Sequence, residues 1–321
     1  MIREAYHAGS WYTDQESLLD KELTNWLSKV PSKTKDDIPI PIPGARAIIA
    51  PHAGYSYSGQ ASAFAYKCID PESVKRVFIL GPSHHVYLTK CALSQCTEYI
   101  TPLGNLTLDT EGNWHFDKME KTVDEEEHSI EMHLPYTYKI FESKINSIKI
   151  VPIMVGSLSS SKEEFYGKLL APYLADPSNL FIISSDFCAD YPFSSNNNNE
   201  IHQPSSISIP IYKSIENLDR EGMSIIETIN HKNFVNYLQR TKNTICGRHP
   251  IGVLLAAIEA LPNTSTAANT MEAVSETANS GESSLSSKIP KIRFVHYSQS
   301  SRVVNKNDSS VSYASAYVYL P

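Results

Sequence analysis

Two stretches decide the fold: Ala47-Ile48-Ile49-Ala50-Pro51-His52-Ala53-Gly54 and Val77-Phe78-Ile79-Leu80-Gly81-Pro82-Ser83-His84-His85. Each is an unbroken apolar run, the pattern of a strand covered on both faces, that stops at Gly or Pro and then reaches His. Open α/β sheets bind their ligands at the carboxyl edge of the strands, so the pattern predicts two imidazoles delivered to one sheet edge. Imidazole nitrogens suit Fe, Cu, Zn and Ni, and two of them make half of a metal site.

Working outward, Leu18, Leu19, Leu23, Trp26, Leu27 and Val30 have helical spacing, which predicts a surface helix over 14–30 ended by Pro31. The Ile-Pro alternation within 37–44 excludes helix and central strand and reads as an extended connector into a strand at 45–50. A helix over about 60–68 and a strand over 74–80 complete the strand-helix-strand unit of parallel sheets. Later strands are expected at 148–155, 180–183, 292–297 and 312–319. Helices are expected at 161–174, 211–229, 233–240 and 248–261, the last with Pro250 in its first turn. The alternation predicts one α/β domain over 1–321 with a central mixed, largely parallel sheet flanked by helices. Segments 192–208 and 263–288 are rich in Ser, Asn and Thr and poor in apolar residues, which marks them as mobile loop insertions.

The 321 residues carry 35 acidic against 28 basic side chains, a net charge of −7 without any basic block, so nucleic acid is excluded as a partner. No run approaches the ~18 apolar residues of a membrane helix, and the N-terminus lacks an apolar signal core, so membrane insertion is not expected and the location is cytoplasmic or nuclear. Five cysteines, Cys68, Cys91, Cys96, Cys188 and Cys246, form no Cys-x-x-Cys pair, which argues against a disulfide framework or zinc knuckle. Gly54 to Gly59 has the start of a phosphate-loop spacing, but Gln60-Ala61 stands where Lys and Ser or Thr are required. There is no Gly-x-Ser-x-Gly elbow.

A third ligand has three candidates. Cys246 lies just ahead of a helix and near Arg248, a setting that favours the thiolate. Asp186 ends a strand in Ser184-Ser185-Asp186-Phe187. The segment Glu127-His128-Ser129-Ile130-Glu131-Met132-His133-Leu134-Pro135, if helical, places His128 and Glu131 on one face and Ser129 and His133 on the next.

Taken in order, His7-Ala8-Gly9-Ser10-Trp11-Tyr12, Pro51-His52-Ala53-Gly54-Tyr55, Leu80-Gly81-Pro82-Ser83-His84-His85, the Glu127 to Pro135 segment, Ser184-Ser185-Asp186-Phe187, Asn243-Thr244-Ile245-Cys246-Gly247 and Asp308-Ser309-Ser310-Val311-Ser312-Tyr313-Ala314 closely resemble the Memo family, named for mediating receptor-driven cell motility. The resemblance runs nearly end to end. It implies a fold like that of class III extradiol dioxygenases, with iron or copper held by His52, His84 and Cys246 and a role in redox control and in growth or motility signalling. Two imidazoles and a soft thiolate also accommodate copper, so ring cleavage does not follow from the fold. Any catalysis implied is metal-dependent oxidation. The resemblance also implies a phosphotyrosine-bearing peptide or signalling protein as partner at the same pocket, with Trp11 and Tyr57 as aromatic walls and His85 and His133 lining it. Asp186 is the expected base or orienter. The family continues Ser-Ser-Asp-Phe-Cys with His-Trp, whereas Cys188 is followed by Ala189 and Asp190, leaving Asp190 or His202 as the nearest replacements.

Overall fold

The computed structural model describes residues 1–112, 116–189, 209–262, 289–305 and 307–321. The two expected insertions, with Asp190 and His202, lie outside the described residues. The first half of the chain runs β1 (Ile2–Arg3), α1 (Glu16–Ser28), β2 (Ala45–Ala50), α2 (Tyr55–Tyr66), β3 (Arg76–Pro82), β4 (Cys91–Ser94), β5 (Glu98–Thr101), β6 (Gly104–Thr107), β7 (Asp117–Met119), α3 (Lys121–Glu126), α4 (His128–Glu131) and α5 (Leu134–Phe141). The second half runs β8 (Lys149–Val155), α6 (Ser160–Ala175), β9 (Asn179–Ser184), β10 (Phe187–Ala189), α7 (Ile211–Glu227), α8 (His231–Thr241), α9 (Arg248–Glu259), β11 (Lys291–Gln299) and β12 (Val311–Tyr319).

The large sheet has the order β10-β12-β2-β9-β3-β8-β4-β7, with β11 paired to β12. Its centre, β2-β9-β3-β8, is parallel, and antiparallel pairs flank it: β12 on β2 and β4 on β8. A separate small sheet has the order β1-β5-β6. The fold is therefore α/β with a mixed, centrally parallel sheet.

Apolar residues at successive positions in these strands point to opposite faces, and both faces are covered. Ala47, Ile49, Phe78, Leu80, Val151, Ile153, Phe181 and Ile183 enter one core with Leu170 and Leu174 of α6 and Ile251 and Leu255 of α9. Their alternates Ile48, Val77, Ile79, Ile150, Leu180 and Ile182 enter a second core with Leu19 and Leu23 of α1, Tyr66 of α2 and Phe141 of α5. The sheet is the middle layer of three.

Register sets the site. Ile49 and Leu80 both lie level with Ile183, so β2 and β3 leave the same edge on either side of β9. Two glycines let other segments close over that edge. A Cβ on Gly81 would lie 2.5 Å from Ser129 Oγ and 2.8 Å from Ile130 Cγ1, so α4 packs onto the end of β3 because nothing projects there. A Cβ on Gly247 would overlap the Ser184 carbonyl and the Ser185 side chain, so the turn after Cys246 touches the end of β9 only as glycine.

The helix expected near residue 60 begins at Tyr55, and the Gly54 to Gly59 spacing is its cap and first turns. Its early start left no periodic signature because small residues, Ser58, Gly59, Ala61, Ser62, Ala63 and Ala65, are buried on nearly every side. Strands β4 to β7, of three or four residues each, were too short to show a pattern. Among the described residues no helix is long and apolar enough to cross a membrane.

Candidate metal centre

His52 follows β2 and His84 follows β3, and their rings meet edge to face with centroids 5.1 Å apart. A third ring joins them. His128 opens α4, stacks on His84 at 4.5 Å and meets His52 at 5.5 Å. One ring nitrogen from each of the three lies within 4.8 Å of the others.

Hydrogen bonds fix which nitrogen each ring presents. The Ser184 hydroxyl donates its single proton to the Ser129 carbonyl at 2.7 Å, so toward His52 Nδ1, also at 2.7 Å, it accepts. His52 therefore carries its proton on Nδ1, leaving Nε2 with a lone pair. Glu127 does the same for His84: Oε1 accepts from the ring Nδ1 at 2.8 Å and Oε2 from the His84 backbone N–H at 2.5 Å. Oε1 also caps α4 through the Ser129 amide. A carboxylate or hydroxyl on the outer nitrogen of an imidazole is the usual support of a metal ligand. His128 Nδ1 is shielded from solvent, makes no hydrogen bond among the described residues, and lies 3.5 Å from Glu127 Oε1, the oxygen that also accepts from His84 Nδ1.

Burial favours the neutral form of His52 and His128. Burial pushes His52 well below the usual histidine range, and the neighbouring His84, His128 and His133 push it further. Burial and then His84 bring His128 down to about 4. Glu127 is held at about 2: burial opposes its ionisation, but the hydrogen bond and charge of His84 and the amides of His84 and Ser129 outweigh it. Neutral imidazoles with ionised supporting groups are the protonation state a cation requires. Nitrogens bound to one ion sit ~2 Å from it, and this donor set lies within that reach after small ring movements. The residues fit a metal.

Asp186 touches the same centre. Its Oδ1 accepts the His52 backbone N–H at 2.9 Å, and its Oδ2 lies 3.9 Å from His52 Nε2. Burial pushes this carboxyl up to about 7, partly offset by the His52 and Ala53 amides and by His84.

A family model described as Memo-like protein matches residues 3–317. Protein MEMO1 of Homo sapiens is 48% identical over 325 residues, covering 98% of this chain and 96% of its own length. The chain belongs to the Memo family. Protein MEMO1 of Danio rerio is likewise 48% identical over 326 residues, and the memo-1 homolog of Caenorhabditis elegans is 43% identical over 99% of this chain and 83% of its own. Among solved structures, an uncharacterized protein from Escherichia coli K12 aligns with a TM-score of 0.40 and 12% identity over 84% of this chain and 99% of that one.

Within this Memo chain the expected site residues are placed unequally. His52 and His84 lie together. Cys246 lines a cavity of about 240 Å³ with His84, and its backbone N–H donates to the Asp186 carbonyl, but its sulfur is outside the group of three converging nitrogens. His128 is the third residue of that group. Trp11, 37% exposed, lies with its ring 4.3 Å from that of His128, whereas Tyr57 is exposed on the first turn of α2. His85 is exposed with its ring 6.1 Å from His128.

His133 was expected on the pocket wall but is fully buried behind it, its Nδ1 2.7 Å from the Tyr66 hydroxyl. His133 lies past the end of α4, at the cap position of α5, on the side of Ser129 and not that of His128. Glu131 also faces away from the cluster: it holds the N-terminal segment through Arg3, the His7 ring and amide, and the Tyr12 hydroxyl. Sequence reasoning missed the supporting roles of Ser184 and Glu127, although Glu127 directly precedes a histidine and a serine as a helix cap would.

Proposed function

We propose that this Memo protein binds a redox-active metal, iron or copper, through His52, His84 and His128, and acts in metal or redox homeostasis coupled to growth and motility signalling. The observation that carries this reading is the convergence of three imidazoles, two of them oriented through their Nδ1 by Ser184 and Glu127. A bound iron or copper ion would supply one-electron chemistry. Ser184 and Glu127 orient the ligands, Asp186 holds the His52 backbone in place and offers Oδ2 as a proton-holding atom, and Trp11 screens His128 from water. Cys246, the third ligand the resemblance implies, shares a cavity wall with His84 and is proposed as a further donor.

Elemental analysis and metal titration of the wild type, His128→Ala, His52→Ala and Cys246→Ser test this. Both histidine variants are expected to lose iron and copper, with Cys246→Ser weakened less. Equal retention in all four overturns the assignment. Oxygen uptake by Fe(II)-loaded protein against a panel of catechols tests whether ring opening accompanies binding.

The exposed aromatic rings of Trp11 and Tyr57 favour a second reading, a scaffold that captures a phosphotyrosine peptide or signalling partner at this rim. Calorimetry with phosphopeptides on metal-stripped protein separates the two: binding that persists without metal supports the scaffold, and its loss counts against it.

A further inference from the structure

The cavity that holds His84 and Cys246 adjoins a larger one of about 470 Å³, and Thr244, Arg248 and His249 line both. The larger cavity opens between α8 and the first turn of α9, with Leu158, Val235 and Leu238 on its apolar side and Lys242 at its end. Its charges are one-sided. Neither Arg248 nor Lys242 makes an ion pair among the described residues, and Glu163 is the sole described carboxylate on either wall. Both oxygens of Glu163 are already taken: Oε1 lies 2.6 Å from His249 Nδ1 and Oε2 lies 2.6 Å from His231 Nε2.

The Glu163 carboxylate accepts from His249 Nδ1 and leaves Nε2 still to be satisfied; an oxyanion is held there by the imidazolium form, in which Nε2 carries the second proton and donates it to the anion. That nitrogen is shielded from solvent and has no hydrogen-bond partner among the described residues. An unpaired polar atom in such a place is costly unless something else completes it. A guanidinium, an ammonium and an unsatisfied imidazole around one cleft call for an acceptor that carries negative charge, and the planar fork of Arg suits a carboxylate or phosphate.

We propose that this cleft is a binding site for a small organic anion, whose oxyanion lies against Arg248 and His249 and whose apolar body lies along Leu158, Val235 and Leu238. The oxyanion then sits where the two cavities join, and the ligand reaches the wall formed by His84 and Cys246. Glu163 and His231 hold the His249 ring in position. Recognition does not require the metal, so it is tested separately from it.

Protein stripped of metal on a chelating resin is titrated with inorganic phosphate and with benzoate, by calorimetry and by long-range ¹H–¹⁵N spectra of the imidazoles. At least one probe is expected to bind and to move the His249 Nε2 resonance, and Arg248→Gln is expected to weaken that binding by tenfold or more. Lys213→Gln, an exposed change on α7, should leave it unaltered. Binding of phosphate alone identifies a phosphate-bearing ligand, and binding of benzoate alone identifies a carboxylic acid. Binding of neither probe at millimolar concentration overturns the site, as does equal binding in Arg248→Gln or an unmoved His249 resonance. Arg248 is exposed, so its variant does not depend on the core for folding. Failure leaves the metal reading standing, because no metal is present in the experiment.

Discussion

Replacing Ser184 by alanine removes one hydroxyl and strands two groups. In the native structure that hydroxyl accepts from His52 Nδ1 and donates to the Ser129 carbonyl, each at 2.7 Å, and Ser184 is fully buried, so water does not take its place. A buried polar group left without a partner costs roughly 1–3 kcal/mol, and two of them predict a loss of about 2–6 kcal/mol in unfolding free energy. The same change frees the His52 ring to exchange tautomers, because nothing then holds the proton on Nδ1. Loss of a group that orients a metal ligand typically weakens metal affinity by about 10–100-fold. Three measurements read these effects: urea unfolding of metal-free protein, long-range ¹H–¹⁵N spectra of the His52 ring at neutral pH, and metal titration. The wild-type ring is expected with its proton on Nδ1, and the variant with a mixture. A variant within ~0.5 kcal/mol of wild type, with the His52 proton still on Nδ1, would refute the tautomer argument.

Gly247→Ala sets a methyl against the Ser184 carbonyl and the Ser185 side chain, and is expected to lower the urea midpoint by the equivalent of about 1–3 kcal/mol, with an unchanged midpoint as the contrary result. Arg3→Met removes the cation between Asp124 and Glu131, which lie 3.1 and 2.7 Å from it in a solvent-excluded site, and the two stranded carboxylates predict a loss of about 3–5 kcal/mol by denaturant titration. Burial depresses His133 to about 3, well under its unfolded value of 6.5. Between those values the unfolded chain binds a proton the folded protein does not, so this residue's contribution is complete above pH 6.5 and declines as pH falls toward 3, by up to roughly 5 kcal/mol. Urea titrations of wild type and His133→Gln across pH 7 to 4 should therefore differ in slope, with the variant flatter; parallel profiles would show that His133 is not buried in its neutral form.

The central strands were legible because their apolar runs have no polar side to confuse the period, and β2 over 45–50 falls where the sequence places it. What stayed hidden is where tertiary packing replaces a local pattern. α2 buries small residues nearly all round and so lacks an amphipathic face, and β4 to β7 are held by neighbours rather than by their own composition. The segment from Glu127 to Pro135 is a helix of four residues followed by a turn and a second helix starting at Leu134, a break that spacing alone does not reveal.

The third ring of the histidine group shows the same limit in chemical form. The case for Cys246 rests on its sequence neighbours, a helix start and Arg248, which favour a thiolate, and those are local facts. The place of His128 depends on contacts far away in sequence: Gly81 admits α4 to the end of β3, and Glu127 ties the start of α4 to His84 by both its ring and its backbone. One carboxylate thus caps the helix that carries one imidazole while orienting another. Ser184 joins His52 to the Ser129 carbonyl of that same helix. The three rings are therefore set by one shared network and not by three independent loops, and a substitution at either Glu127 or Ser184 should disturb two ligands together. A metal-affinity loss in Glu127→Gln larger than that in Cys246→Ser is the expected consequence, and the reverse order would place the thiol, and not α4, at the heart of the site.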